Sequence, residues 1–394
     1  MPRPFRFATV LLAAPMLLGL TAIDAARAAR TPTVYGHRGA SAYRPEHTLA
    51  SYELAIDQGA DYVEPDLVST KDGILVARHE NEIGGTTDVA SRPEFASRRT
   101  TKTIDGYRVT GWFTEDFTLA ELKTLRAEER IPGTRPGSAR YDGQFEVPTL
   151  QEVIDLVKRK EAETGRPIGI IPETKHPSYF DRVGLSLEEP LVATLKANGY
   201  DGADARVLIQ SFEVANLIEL NQMTDVRLVQ LMTSRGARPY DFVLAGDRRT
   251  YGDLLTETGL TAMRAYADVL SPEKNVLIPR DSSGALTSPT SVIADAHRAG
   301  LEVVPYTFRP ENTFLPTNLR TGGGANAYGD DQAEFLAFLR AGVDGVFADA
   351  PDRARRAVDA FVASVPEPST WAMMLMGFAL TGVTLRRRHR MVPA

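Results

Sequence analysis

His37 and Arg38 stand between two glycines in Gly36-His-Arg-Gly39, directly after the apolar Thr33-Val-Tyr35. An extended apolar lead that runs into glycines reads as a strand ending in a turn, which puts an imidazole and a guanidinium at its mouth. Glu64 and Asp66 follow in Val63-Glu-Pro-Asp-Leu67, and a period of two sends both carboxylates to one face of a strand. His79 follows another short apolar strand, Ile74-Leu-Val-Ala77, and Glu173 closes a third, Ile168-Gly-Ile-Ile-Pro-Glu-Thr-Lys175. Three carboxylates at strand ends form an all-oxygen set for a hard cation such as Ca2+ or Mg2+, whereas zinc would want histidine or cysteine. A hard cation with Arg38 and Lys175 beside it suits an anion of spread charge, and phosphate is the natural choice. Histidines can take or give a proton at neutral pH, although a lone histidine is as a rule structural; three of them, His37, His47 and His79, cluster in this part of the chain. Taken alone, Glu64 and Asp66 read as a solvated strand face. Among Tyr62, Val63, Leu67 and Val68 they would be costly to bury, and a bound cation removes that cost.

The elements that must position these groups are short apolar strands alternating with amphipathic helices, the pattern of a mostly parallel α/β protein. Strands are expected at 33–36, 61–68, 74–78, 168–172, 206–210, 226–232, 267–270, 301–307 and 343–347. Helices are expected at 48–58, 118–127, 149–162, 188–197, 213–221, 289–299, 330–341 and 351–362. An eight-stranded barrel has room for eight of the nine strands, and 267–270 is the first suspect for the surplus one. Thr70-Lys-Asp-Gly73 reads as a hairpin joining 61–68 to 74–78. From Asn81 to about Val147 the chain turns polar and Gly/Pro-rich, with one helix at most, and reads as a lid or insertion over the site. Further insertions are expected at 233–256 and 309–329, all at C-terminal ends of strands, where barrel active sites lie.

Composition narrows the function. A net charge of -6 and a pI near 5.7 argue against a nucleic-acid partner. The chain has no cysteine, which excludes thiol catalysis and disulfides. Residues 1–29 carry Arg3 and Arg6, an apolar run from Ala8 to Leu20, and Ala26-Arg-Ala28-Ala29, the layout of a secretory signal peptide. At the other end, Val365-Pro-Glu-Pro-Ser-Thr370 precedes an apolar stretch 371–385 and the cluster Arg386-Arg-Arg-His-Arg390. That stretch is shorter than the roughly 20 residues of a comfortable span, so it reads as a short transmembrane segment with its arginines in the cytoplasm.

Gly36-His-Arg-Gly39, Arg44-Pro-Glu-His-Thr48, Glu64-x-Asp66, His79-Glu-Asn81, Pro172-Glu-Thr-Lys175 and Gln210-Ser-Phe212, in this order and spacing, resemble the glycerophosphodiester phosphodiesterase family. The likeness runs over roughly residues 33 to 360 and is greatest to the longer periplasmic and plant-type members. It implies an α/β fold, a (β/α)8 TIM barrel with loop insertions at the C-terminal face of the strands, as a catalytic domain over 30–362. It implies hydrolysis of a small-molecule glycerophosphodiester to glycerol 3-phosphate and an alcohol, with His37 and His79 as general acid and base. Glu64, Asp66 and Glu173 are implied to hold a divalent metal, Ca2+ ahead of Mg2+, while Arg38 and Lys175 grip the phosphate. Phe212, Tyr306 and Phe308 match positions lining the alcohol pocket, and Glu46 matches a rim position that orients His37 or a metal-bound water. Many members have Asn where His47 stands, Asp where Glu80 stands and tryptophan near Tyr306; these departures bear on substrate preference.

The tail 365–390 resembles a PEP-CTERM sorting signal, which implies an exosortase-type processing enzyme, at least transient contact with the inner membrane, and a destination in the periplasm or at the cell surface. Two other functions compete. A phospholipase-type phosphodiesterase on intact or lyso-lipids would call for an exposed apolar rim, which the polar insertion does not suggest. A non-catalytic surface-binding barrel would have lost a histidine or a carboxylate, and none is lost.

Overall fold

A computed structural model of the protein describes residues 31–364. The expected signal peptide and the segment 365–390 lie outside the described residues, among which no helix is long and apolar enough to cross a membrane. The chain divides into a unit Pro32–Val358 and a second unit, Met1–Thr31 with Asp359–Ala394. The barrel and its site lie in the first.

Thirteen strands are described: β1 Thr33–Gly36, β2 Tyr62–Val63, β3 Asp66–Ser69, β4 Leu75–Ala77, β5 Thr100–Ile104, β6 Tyr107–Gly111, β7 Gly169–Ile170, β8 Glu173–Thr174, β9 Leu208–Ser211, β10 Arg227–Met232, β11 Val269–Pro272, β12 Glu302–Val303 and β13 Gly345–Ala348. Parallel pairing runs β13-β1-β2-β7 in one sheet and β12-β11-β10-β9-β8-β3 in the other. The two sheets are one barrel. β2 and β3 are halves of a single strand broken at Pro65, and β7 and β8 halves of another broken at Pro172, because proline cannot donate to the ladder. Parallel bridges Glu273↔Tyr306 and Phe308↔Ala348 extend the seventh strand and close it on the eighth. Each of the eight strands is followed by a helix: Leu49–Asp57, Leu150–Thr164, Glu188–Ala197, Val214–Met223, Glu257–Met263, Val292–Arg298, Asp331–Ala341 and Pro351–Ser364. The structure is a (β/α)8 barrel.

Two expectations are corrected. The surplus strand is 74–78, not 267–270: β4 pairs antiparallel with β3 outside the barrel, as the Thr70–Gly73 turn dictates, while β11 lies between β10 and β12. The segment from 81 to 147 is not irregular. It holds the β5–β6 hairpin, several short helical turns, and a helix that covers only Leu119–Leu122 of the expected 118–127. Ile83, Val89, Phe95, Phe113, Phe117, Leu122 and Leu125 from this segment are all buried in the main hydrophobic core. At roughly 1.5–3 kcal/mol for each such side chain, the insertion is anchored in the core and is no loose lid.

A smaller core fills the barrel itself: Tyr35, Ile171, Leu208, Val229, Val269, Val304 and Phe347, each from a different strand. Because side chains alternate, the residue two further along each strand also points inward, one layer higher. That layer contains His37, Glu173, Gln210, Tyr306 and Asp349. The site is thus built on an apolar floor.

Candidate active site

Local chemistry explains why β1 delivers His37 and Arg38. Gly36 lets the helix Leu49–Asp57 approach, since a Cβ there would meet the Ala55 Cβ at 2.9 Å. Gly39 has φ 88° and a Cβ would sit 2.5 Å from Ser51 Oγ. Between them Arg38 adopts φ 57°, a left-handed conformation that costs an arginine about 1 kcal/mol or more. Its carbonyl accepts from His47 N and Ser51 Oγ, which hold it there. Thr48 closes the motif by capping the helix, its side chain accepting from Ser51 N.

Glu64, Asp66 and Glu173 come together: each offers an oxygen within 4.8 Å of the others, and all three are buried. Asp66 and Glu173 are register partners across β3 and β8, with Gln210 opposite Glu173 on β9. Gln210 Nε2 donates to Glu64 Oε1 at 2.7 Å, and Arg38 N donates to Glu64 Oε2 at 3.0 Å. Burial would raise Asp66, but the hydrogen bond from His47 Nε2 at 2.9 Å and the nearby Lys175 charge hold it well below the usual carboxylate range. Its second oxygen, Oδ1, is buried with no hydrogen-bond partner. Burial, Asp66 and Glu173 push Glu64 well up, and burial raises Glu173 to about 7 despite Lys175 Nζ at 2.8 Å. Three crowded carboxyls, one with an orphaned oxygen and two reluctant to ionise, fit a bound divalent cation, which would neutralise all of them.

The expected histidines flank this triad. His37 Nε2 is 3.8 Å from Glu64 Oε2, and His37 and His79 line one cavity of about 110 Å³ with the three carboxylates, Arg38, Phe212 and Tyr306. Burial and the Arg38 charge lower His37 to about 4, and burial, Arg38 and Lys175 lower His79 well below its ordinary value. His79 Nδ1 lies 2.7 Å from Glu80 Oε1 without the alignment of a hydrogen bond. Arg38 Nε is likewise unpartnered, 3.7 Å from Asp66 Oδ2. Lys175 borders an adjoining cavity that also touches Glu173 and Phe212. Phe212 and Tyr306 meet edge to face with ring centroids 6.0 Å apart.

Two expectations fall away. Phe308 is fully buried between Phe335 and Phe338, in the core rather than the alcohol pocket. Glu46 does not reach His37 or the carboxylate triad; it pairs with Arg38 at 2.9 Å and Arg130 at 2.6 Å, fixing the guanidinium. His47, fully buried between Asp66 and the Tyr52 hydroxyl, is a support for the triad.

Sequence reasoning missed several residues that complete the site. Asp349 Oδ1 lies 2.5 Å from His37 Nδ1, and Asp349 Oδ2 accepts from Arg135 at 2.5 Å and Arg309 at 3.1 Å. Its signal was present, since Gly345-Val-Phe-Ala-Asp349 is an apolar strand ending in a carboxylate, as in Ile168 to Glu173. His176, at φ 51°, donates from its two ring nitrogens to Asp105 Oδ2 at 2.6 Å and Glu80 Oε2 at 2.9 Å. Asp105-Gly106, both with positive φ, form the two-residue turn of the β5–β6 hairpin, a strong hairpin signal in the sequence.

Comparison with known proteins bears on the family and the fold. The family model for the glycerophosphoryl diester phosphodiesterase family matches residues 37–353, and a PEP-CTERM protein-sorting motif matches 364–388. A glycerophosphodiester phosphodiesterase of Arabidopsis thaliana is 34% identical over 331 residues, which cover 81% of this chain and 83% of that protein. One of Haemophilus influenzae is 29% identical, covering 81% and 87%. Among solved structures, a glycerophosphoryl diester phosphodiesterase of Silicibacter pomeroyi shares the fold with a TM-score of 0.59 at 20% identity, covering 84% of this chain and 94% of that one. A phosphodiesterase of Oleispira antarctica, solved with sn-glycerol-3-phosphate, shares it with a TM-score of 0.53 at 21% identity, covering 84% and 97%.

Proposed function

The chain belongs to the glycerophosphoryl diester phosphodiesterase family, and from that membership we propose that it is an exported, metal-dependent phosphodiesterase that hydrolyses glycerophosphodiesters to glycerol 3-phosphate and an alcohol. The observation that carries the reading is the buried triad Glu64, Asp66 and Glu173 on adjacent strand ends, with His37 and Arg38 beside it. The Oleispira antarctica relative's bound glycerol 3-phosphate is the product this reaction requires. Residues 30–362 form the catalytic domain, 1–29 the signal peptide and 365–390 the sorting segment.

Glu64, Asp66 and Glu173 would hold the cation, Ca2+ in preference to Mg2+, because an all-carboxylate set without preformed octahedral strictness suits the larger ion. When bound, that ion supplies Lewis-acid stabilisation of charge on the phosphoryl oxygens. Arg38, with its free Nε, and Lys175 bind those oxygens and orient the diester. His37 is neutral at pH 7 and donates its Nδ1–H in a hydrogen bond to the Asp349 carboxylate, so the unprotonated Nε2 faces the site as the base that takes the proton of the attacking oxygen. His79 serves as the acid that protonates the departing alkoxide. An anionic diester offsets the charges of Arg38 and Lys175 that depress His79, and the Glu80 carboxylate then favours its protonated form.

The test is release of glycerol 3-phosphate from glycerophosphodiesters by the mature domain, before and after chelation and with Ca2+ or Mg2+ restored. Retention of full activity after exhaustive chelation refutes the metal-dependent reading.

A further inference from the structure

A second cavity, of about 610 Å³, opens beside the first, and Glu173 and Phe212 line both. One wall is the hairpin turn Asp105-Gly106-Tyr107, and Glu213, Tyr240 and Tyr251 form others. Asp105 Oδ1 and Glu213 Oε1 are buried without a hydrogen-bond partner in the protein. Glu213 is only 3% exposed, and its other oxygen accepts from Ser178 Oγ. A buried carboxyl oxygen left unmatched is costly, so an occupant that exchanges hydrogen bonds with both oxygens is favoured.

Charge decides which donor. Lys175, Arg238 and His176 stand against Asp105 and Glu173 on the cavity wall. Asp105 and Glu80 raise His176 to about 9 despite its burial, and burial with Asp241 and Asp105 raises Glu213 to about 8, so at neutral pH the first is charged and the second is not. The cavity therefore has no net negative charge to offset the desolvation of an ammonium group. An acyl chain would fit the tyrosine rings but would leave both carboxyl oxygens facing hydrocarbon. Glycerol or ethanolamine would leave most of the volume unfilled.

We propose that this cavity is the subsite for the leaving alcohol and takes a polyhydroxylated ring of the inositol or hexose class, with hydroxyls on Asp105 and Glu213 and its apolar face on Tyr240 and Tyr107. The proposal rests on the phosphodiesterase reading and adds to it the class of alcohol. The hairpin turn from the insertion is thereby a specificity element, tied to the strand end through Asp105 and His176.

The test is kcat/KM of the metal-loaded protein toward glycerophospho-myo-inositol, glycerophosphocholine, glycerophosphoethanolamine, methyl glycerophosphate and a lysophosphatidylinositol. The inositol diester is expected to exceed the choline and ethanolamine diesters by at least about tenfold, since a site built for substrate hydroxyls rejects analogues that lack them. Glu213→Leu, and independently the partly exposed Tyr240→Ala, should bring that ratio close to one. Equal or faster turnover of the choline or ethanolamine diester overturns the proposal, as does a preference for the lysolipid or a preference that survives both substitutions. Failure on every diester, methyl glycerophosphate included, defeats the phosphodiesterase reading instead. Calorimetry with free myo-inositol then decides the cavity: binding that Tyr240→Ala abolishes supports the subsite, and no binding overturns it.

Discussion

His37 Nδ1 and Asp349 Oδ1 lie 2.5 Å apart, joining the first barrel strand to the last across 312 positions of sequence. Burial alone would raise Asp349, yet Arg135, Arg309 and His37 hold it well below the usual carboxylate range, so it stays ionised beside the imidazole. One tautomer of His37 is thereby fixed, with Nε2 toward the triad and 3.4 Å from Thr307 Oγ1.

Asp349→Asn should lower kcat by about 10²- to 10⁴-fold, because an amide can present its NH2 to Nδ1 and stabilise the wrong tautomer. KM should change far less than kcat. Steady-state kinetics alongside circular dichroism checks this, and a variant with near-normal kcat would remove Asp349 from the mechanism.

His37→Ala and His79→Ala should each reduce turnover by about 10²- to 10⁴-fold while leaving the fold intact, since neither ring belongs to the barrel core. Near-normal turnover by either variant would refute the acid–base assignment.

Metal affinity should fall as pH drops below about 7. Glu173 is raised to about 7 and Glu64 well above its ordinary value, so a cation must displace protons there. The sign for the metal-free protein is the reverse: carboxyls with raised folded values bind more protons folded than unfolded, so stability falls as pH rises from about 4.5 to 7. Calorimetry in buffers of different ionisation enthalpy should show proton release on Ca2+ binding at pH 6, abolished together with tight binding in Glu64→Gln. Binding without proton release would contradict the raised values.

His176 is raised to about 9 by Asp105 and Glu80 despite the opposing effect of burial. A raised histidine gives stability that is complete below its unfolded value near 6.5 and is lost as pH climbs to about 9. The contribution is at most about 3 kcal/mol. His176→Gln should be less stable than the parent at pH 6 and equal to it near pH 9.5 in denaturant titrations. A constant difference across that range would show that the ring acts by packing alone.

The PEP-CTERM motif suggests export and sorting at the cell surface. Protein from the native host is expected to end near residue 368, without Trp371 to Ala394, whereas a host lacking the sorting enzyme should keep the tail and leave the protein in the membrane fraction. Intact mass distinguishes the two, and a main species that retains Met373 to Leu380 would refute processing.

Much of the site was legible because strand alternation is local. Glu64 and Asp66, Glu173 and Lys175, and His37 after Tyr35 announce their face and height from spacing alone, and the carboxylates name a hard cation by their chemistry. Seven of the eight helices that follow the strands were equally legible from apolar periodicity and caps such as Thr149 with Glu152, whereas the short helix Glu257–Met263 after β10 was not read from the sequence. Period two gives the side of a strand, but not which strands meet across the barrel or what an insertion brings back to its mouth. Only closure of β13 on β1 sets Asp349 against His37. Only the packing of Phe113 and Phe117 into the main core folds the 81–147 segment down, so that Arg130, Arg135 and Asp105 reach the site. The same closure made β11 a barrel strand and left β4 outside: a short apolar run does not say which edge of its neighbour is still open, and the tertiary fold assigns that edge once.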